Sequence, residues 1–273
     1  MLEAPLDSRR RTAIIGRMAE SLSRGFIDLH SHLIPGVDDG CRRVRDSLAC
    51  IRRLMEEGFA GSVCTPHVWP DLYPANTPQA ICHWVDDLRG AASAAGLDYP
   101  LWPGGEIRIA PGMMDWFDRH GVPTLGESRC VLIDYWGGDW PPFADEFIDW
   151  LIAGGYQPIL AHPERMGLAD DALSHLADGL IDRGVWLQGN LRSLAGGEGR
   201  QAQLQLESLV EGGRVFALAT DTHGPRDIDG RLAGIASLRR LQPDADETLL
   251  GTRPREVLGN ASLSGYAGGR SGS

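Results

Sequence analysis

Short apolar runs alternate with amphipathic stretches along most of this chain. Phe26 to Leu33 opens as an apolar run, predicts a buried strand, and breaks at Pro35-Gly36 into a loop. Val44 to Gly58 predicts a helix with Leu48, Ile51, Leu54 and Met55 on one face and Gly58 as its stop. Further strands are expected at 61–65, 99–109 (interrupted by Gly104-Gly105), 129–135, 157–161, 185–189 and 215–220. Further helices are expected at 77–95, 110–120, 143–153, 170–183, 201–211 and within 232–241.

Strand and helix thus alternate about seven times, the pattern of a parallel sheet covered by helices. Polar clusters follow at least four separate strands. A closed barrel brings all its strand C-termini to one face, whereas an open doubly wound sheet concentrates ligand groups at one switch point. The expected fold is therefore an α/β barrel. No Gly-x-Gly-x-x-Gly or P-loop follows the first strand, so the nucleotide-binding alternatives lack their signature. No composition break marks a second domain. One domain is expected over residues 26–262, with residues 1–25 a mobile extension or short helix and 263–273 a disordered Gly/Ser-rich tail.

Charge narrows the function classes. The 273 residues carry 26 basic and 37 acidic side chains, a net charge of −11. This disfavours nucleic acid and anionic lipid as partners, but not a small anion held by metal ions, which invert the local field. Five cysteines, odd in number and without paired spacing, predict reduced thiols in a cytoplasmic protein. No run of apolar residues is long enough to predict membrane insertion.

The candidate chemistry sits where strands end. His30 and His32 are two apart, so both imidazoles leave a strand on one face, with Asp38 and Asp39 in the loop that follows. His67, Glu106, His162 and the pair Asp221/His223 end four other strands. Each has a bland reading as a turn residue or helix cap. Five such positions on one barrel face predict a multinuclear metal centre built from imidazoles and carboxylates. His83, His120 and His175 fall in or at the end of helices and are read as surface or core residues, and the eight tryptophans as packing, although Trp69, Trp136 and Trp140 fall near the expected active face. No cysteine has an arginine six residues later, which removes cysteine-nucleophile tyrosine dephosphorylation.

His30-Ser-His32, Asp38-Asp39-Gly40, Thr65-Pro66-His67, Gly105-Glu106-Ile107, Pro123-Thr124-Leu125, Ala161-His162-Pro163-Glu164-Arg165 and Asp221-Thr222-His223 resemble the motifs of the polymerase-and-histidinol-phosphatase (PHP) superfamily. Within it they are most similar to the bacterial manganese-dependent tyrosine phosphatases of capsule and exopolysaccharide synthesis. The resemblance implies a distorted seven-stranded (βα) TIM-like barrel, the PHP fold, with three divalent ions, usually Mn2+, Fe2+ and Zn2+ suiting the same donors.

Carried over, one ion would be held by His30, His32, Glu106 and Asp221. A second would share Glu106 and take His162, and a third would take Asp39, His67 and His223. Glu106, Asp221 and His223 would carry the catalytic role. The resemblance further implies water activated as hydroxide, its pKa drawn from about 15.7 towards about 7, attacking phosphotyrosine on a bacterial tyrosine kinase.

One departure stands out. The family places a phosphate-gripping arginine after the strand that ends at Asp134-Tyr135, where this chain has Pro142. Arg231 is the expected phosphate ligand, with Arg226 behind it. Arg108, two residues from Glu106, and Arg165 are candidates to compensate, and the alternative for Arg108 is a structural ion pair. Two rival functions remain: a small-molecule phosphomonoesterase of the histidinol-phosphatase kind, and a catalytically weak metal-binding accessory protein.

Overall fold

The computed structural model describes residues 25–259. The expected extension at 1–25 (apart from Gly25) and the tail at 263–273 lie outside the described residues. Nine strands run in parallel: β1 (Phe26–Ser31), β2 (Phe59–Cys64), β3 (His67–Val68), β4 (Leu101–Pro103), β5 (Glu106–Arg108), β6 (Cys130–Asp134), β7 (Gln157–Ala161), β8 (Trp186–Asn190) and β9 (Ala217–Ala219). They form two sheets, one ordered β1-β2-β4 and the other β3-β5-β6-β7-β8-β9.

The seven-stranded barrel expected from the sequence differs from these two sheets for local reasons. Only Thr65-Pro66 separates β2 from β3, and proline has no N–H to continue a ladder. Gly104-Gly105 separates β4 from β5. A Cβ on Gly104 would lie 2.8 Å from Val63 Cγ1 and one on Gly105 2.7 Å from Val68 Cγ2, so only glycine lets these segments cross. The far edges approach each other through one parallel bridge, Ser31 to Thr222. There His32 N–H donates to Thr222 O and Asp221 N–H to His30 O, both at 2.9 Å. Buried Asp28 adds to this seam by accepting from Thr220 N–H at 2.9 Å and Thr220 Oγ1 at 2.5 Å.

The helices are α1 (Val44–Glu56), α2 (Pro78–Ala94), α3 (Met113–His120), α4 (Pro142–Ala153), α5 (Asp170–Asp182), α6 (Leu191–Leu194), α7 (Arg200–Glu211), α8 (Ile228–Leu241) and α9 (Arg253–Leu258). α1 buries Ser47, Cys50, Ile51 and Leu54, a stripe at helical spacing. α2 starts where the Thr77 side chain accepts from Ala80 N–H, followed by Pro78 in the first turn. Pro142 likewise opens α4, which explains why a proline suits that position. The π-helical turn Glu247–Thr252 and α9 were not expected from the sequence.

Strand side chains alternate between two apolar clusters. Val131, Ile133, Leu160 and Leu187 join the large cluster that the helices cover. Leu132, Ile159, Ala161 and Trp186 join a smaller one. On that second face Asp134 follows Leu132 by two residues, and Gln188 and Asn190 follow Trp186 by two and four. The face is therefore apolar at mid-strand and turns polar at the strand C-termini. Each large side chain so buried contributes roughly 1.5–3 kcal/mol, which fixes the floor under the polar groups.

Candidate metal centre

All eight expected side chains come together, although His67 and Glu106 begin short strands rather than end them. His30 lies on β1 and His32 just beyond it, and Asp39 is in the loop towards α1. His67 and Glu106 open β3 and β5 and are register partners. His162 follows β7, and Asp221 and His223 follow β9. His162 and Asp221 have φ of 32° and 52°, two of three non-glycine residues with positive φ among those described. Such backbone strain costs on the order of 1–3 kcal/mol and persists where the surroundings hold a side chain in a required direction.

Distances test whether a cation fits. Two donors each about 2.1 Å from one ion lie about 3.0 Å apart at octahedral and about 3.4 Å apart at tetrahedral angles. His30 Nε2 lies 3.3 Å from His32 Nε2, 3.5 Å from Glu106 Oε2 and 3.4 Å from Asp221 Oδ1. His32 Nε2 lies 3.3 Å from each of those carboxylate oxygens. Glu106 Oε1 lies 3.0 Å from His162 Nε2. On the outer side Asp39 Oδ1 lies 3.2 Å from His67 Nε2 and 3.6 Å from His223 Nε2. Glu106 Oε2 and His67 Nδ1 are buried, 2.8 Å apart and too poorly aligned for a hydrogen bond. Buried polar atoms without partners are rare in folded proteins, and here they converge on one point. The donor set fits divalent ions.

The electrostatics agree. Burial alone would push Glu106 up, yet the imidazoles of His30, His67 and His162 hold it well below the usual carboxylate range. Asp221 behaves alike, burial being outweighed by His30, His223, His32 and Arg231. Burial would push the His32 imidazole down, but Asp38, Asp221 and Glu106 carry it well above its ordinary value. Burial and His32 oppose protonation of His67, which Glu106 and Asp39 nevertheless raise to about 9. The carboxylates thus draw positive charge into a buried site, as protons or as cations, so loading ions releases protons.

An outer ring of hydrogen bonds orients the imidazoles. His30 Nδ1–H donates to Gln188 Oε1 at 2.8 Å, Gln188 Nε2 to Asn190 Oδ1 at 2.9 Å, and Asn190 Nδ2 to Asp221 Oδ2 at 2.8 Å. His32 Nδ1–H donates to Asp38 Oδ2 at 2.7 Å. Each bond fixes the tautomer that turns an Nε2 lone pair inwards. Gln188 and Asn190 escaped the sequence reading because 185–189 looked like a plain apolar strand, although two polar residues at i and i+2 on one face were the available signal. Gln188→Leu is expected to weaken Mn2+ binding about 10–100-fold, measured by metal titration, with little change in the melting of the metal-free protein. Unchanged affinity would show that Gln188 does not orient His30.

The centre floors a cleft of about 410 Å³. Trp69, Arg108, Trp136 and Arg165 line it beside Asp39, His67, Glu106, His162, Asp221 and His223. The Arg108 guanidinium lies 5.4 Å from the Trp69 ring centroid and that of Arg165 5.1 Å from Trp136. Among the described residues the one carboxylate paired with Arg108 is exposed Asp71, at 3.6 Å, which does not amount to a buried structural pair. Arg165 Nη1 donates to Asp221 Oδ2 at 3.0 Å.

Arg231 differs from expectation. It is buried, donates to Asp227 Oδ2 at 2.8 Å and Thr220 O at 3.0 Å, and does not line the cleft. Arg226 lies exposed in a neighbouring groove. His83, His120 and His175 are exposed and remote from the cluster.

The chain is similar to known proteins. The chain is 29% identical over 198 residues to the tyrosine-protein phosphatase YwqE of Bacillus subtilis, spanning 72% of this chain and 77% of that protein. It is 26% identical over 222 residues to CapC of Staphylococcus aureus, spanning 81% and 86%. Among solved structures it matches one from work on YwqE and on CpsB of Streptococcus pneumoniae, described as metal-dependent tyrosine phosphatases. That match has a TM-score of 0.77 at 26% identity and covers 86% of this chain and 95% of the other. Residues 26–258 match the sequence profile of capsular polysaccharide synthesis proteins CpsB/CapC, and the chain belongs to that family.

Proposed function

We propose that this protein is a metal-dependent protein-tyrosine phosphatase of capsule or exopolysaccharide synthesis, and that its substrate is the phosphorylated tail of a bacterial tyrosine kinase. The observation that carries this reading is a cleft whose floor is a buried imidazole–carboxylate cluster and whose walls are arginine–tryptophan pairs. The phosphatase names of the relatives support it further.

Three divalent ions suit these donors, which accept Mn2+, Fe2+ and Zn2+ alike, and the family resemblance favours manganese. One would be held by His30, His32, Glu106 and Asp221, a second by Glu106 and His162, and a third by Asp39, His67 and His223, side chains whose donor atoms converge in three overlapping groups. When bound, such ions polarise phosphoryl oxygens and supply the nucleophile. The chain itself does the rest. Glu106 offers both oxygens, one to each half of the cluster. His223 Nδ1–H donates to Asp221 O at 2.8 Å, which turns Nε2 towards Asp39.

Arg108 and Arg165 hold phosphate between the tryptophans. A phosphate binding there competes with Asp221 for Arg165. Trp69 and Trp136 flank the tyrosyl ring, and a phenolate leaving group of pKa about 10 asks little of a general acid.

Three finer readings accompany this one. The nine strands are seven staves of a distorted barrel, two of them interrupted at Pro66 and at Gly104-Gly105, with the Ser31–Thr222 bridge supporting closure. Residues 26–262 form a single domain. A cytoplasmic location is supported by five unpaired cysteines, and no helix among the described residues is long and apolar enough to cross a membrane.

The test is phosphate release from a phosphotyrosine peptide and from histidinol phosphate, each with chelator and with Mn2+ restored. Chelator-sensitive turnover of the peptide alone is expected. Preference for histidinol phosphate moves the substrate to a small molecule. No turnover of either, with metal bound, leaves an accessory protein.

A further inference from the structure

A second cavity, of about 330 Å³, adjoins the metal-floored cleft and shares Asp39 and His223 with it. Its opposite rim is basic. Arg42 and Arg43 immediately precede α1, Arg45 lies in its first turn, and Arg226 is in the loop after β9; all four are exposed. No ion pair engages Arg42, Arg43 or Arg226 among the described residues, and Arg45 has only its neighbour Asp46, at 3.7 Å. Two of the three carboxylates that line the groove are committed, and the third, Asp46 in the first turn of α1, has Arg45 beside it. Asp39 faces two imidazoles, and Asp227 accepts from Arg231 at 2.8 Å and from Arg192 at 3.2 Å.

The helix α1 also begins here, its N-terminus uncapped by any side chain. Free guanidinium groups and an uncapped helix N-terminus around one cavity are an arrangement for anions. It is a local exception on a chain of net charge −11, which otherwise repels acidic ligands.

We infer that this groove is a subsite for acidic residues or a second phosphate on the polypeptide that carries the scissile phosphotyrosine. The inference rests on the phosphatase reading and deepens it: the metal-floored cleft takes the phosphotyrosine and the arginine groove takes the negative charge beside it. Free phosphotyrosine cannot span both cavities. The groove therefore selects among peptides and leaves the smallest substrate unaffected.

The experiment compares three substrates with the Mn2+-loaded full chain: free phosphotyrosine, a phosphotyrosine peptide flanked by glutamates, and one of equal length flanked by serines and glycines. The same two sequences, fluorescently labelled and carrying a non-hydrolysable phosphonate in place of the phosphotyrosine, are measured for binding by anisotropy. The acidic peptide is expected to show a KM about tenfold below the neutral one, an advantage that shrinks with added salt. Arg42→Glu combined with Arg45→Glu is expected to abolish or invert the preference in both assays while turnover of free phosphotyrosine stays the same. Arg42→Gln with Arg45→Gln removes the charge more gently and is expected to give an intermediate result.

An acidic preference absent from the native protein, or kept by the charge-reversed one, overturns the subsite. If free phosphotyrosine and both peptides go unhydrolysed, the phosphatase reading fails instead. The anisotropy comparison then decides the groove on its own.

Discussion

Replacing Glu106 with glutamine is expected to lower kcat/KM for a phosphotyrosine peptide by about three orders of magnitude. Among the described residues Glu106 is the one carboxylate within 3.5 Å of four imidazoles, those of His30, His32, His67 and His162. Glutamine keeps the shape but puts an NH2, which cannot ligate a cation, where a carboxylate oxygen faces the imidazoles. It also removes the negative charge that offsets any cation there. Burial makes that charge count, since a group 1% exposed has no water to replace it.

The loss should appear as fewer Mn2+ ions per chain as well as slower turnover. Circular dichroism of the metal-free variant should match the native protein, because the surrounding strands are held by apolar contacts. Turnover within tenfold of native, with full metal content, would sink the bridging role of Glu106. It would also shift the centre of the site towards Asp221.

The parts of this molecule legible in the sequence are those governed by periodicity. Apolar runs ending in His-x-His, Pro-His or His-Pro located strand ends, and parallel strands carry their C-termini to one side. Thus the eight polar side chains could be gathered on paper. Positions set by tertiary competition were not legible. Arg231 has the spacing of a phosphate ligand, but Asp227 four residues earlier and the Thr220 carbonyl take its guanidinium. Gln188 acts on His30 and Asn190 on Asp221, and the polar pair at i and i+2 that marks them in the sequence does not say which distant side chains they hold. The breaks at Pro66 and Gly104-Gly105 were visible, but their consequence, two sheets, depends on which strands they leave paired. The segment 247–258 lacks the apolar stripe that marked the other helices, so its π-helical turn and α9 were missed.

Glycine substitutions in α8 should separate packing from propensity and then reach the metal centre. A Cβ on Gly234 would sit 2.0 Å from Leu191 O and 2.8 Å from Leu191 Cα, both backbone atoms of α6 that no rotamer change can move aside. Gly234→Ala is expected to destabilise the fold by about 3 kcal/mol, lowering Tm by about 10 °C. Gly230→Ala, in the same helix, meets nothing within 4 Å of its Cβ and should raise stability slightly, since alanine is favoured over glycine by about 1 kcal/mol in a helix.

Equal shifts in the two variants would mean that α8 does not press on α6. The consequence for function follows from chain continuity. Leu191 is preceded by Asn190, whose Nδ2 holds Asp221 Oδ2 at 2.8 Å. A backbone displaced at Leu191 loosens that grip. Gly234→Ala should therefore lose Mn2+ affinity even at temperatures where it remains folded, while Gly230→Ala should bind as the native protein does.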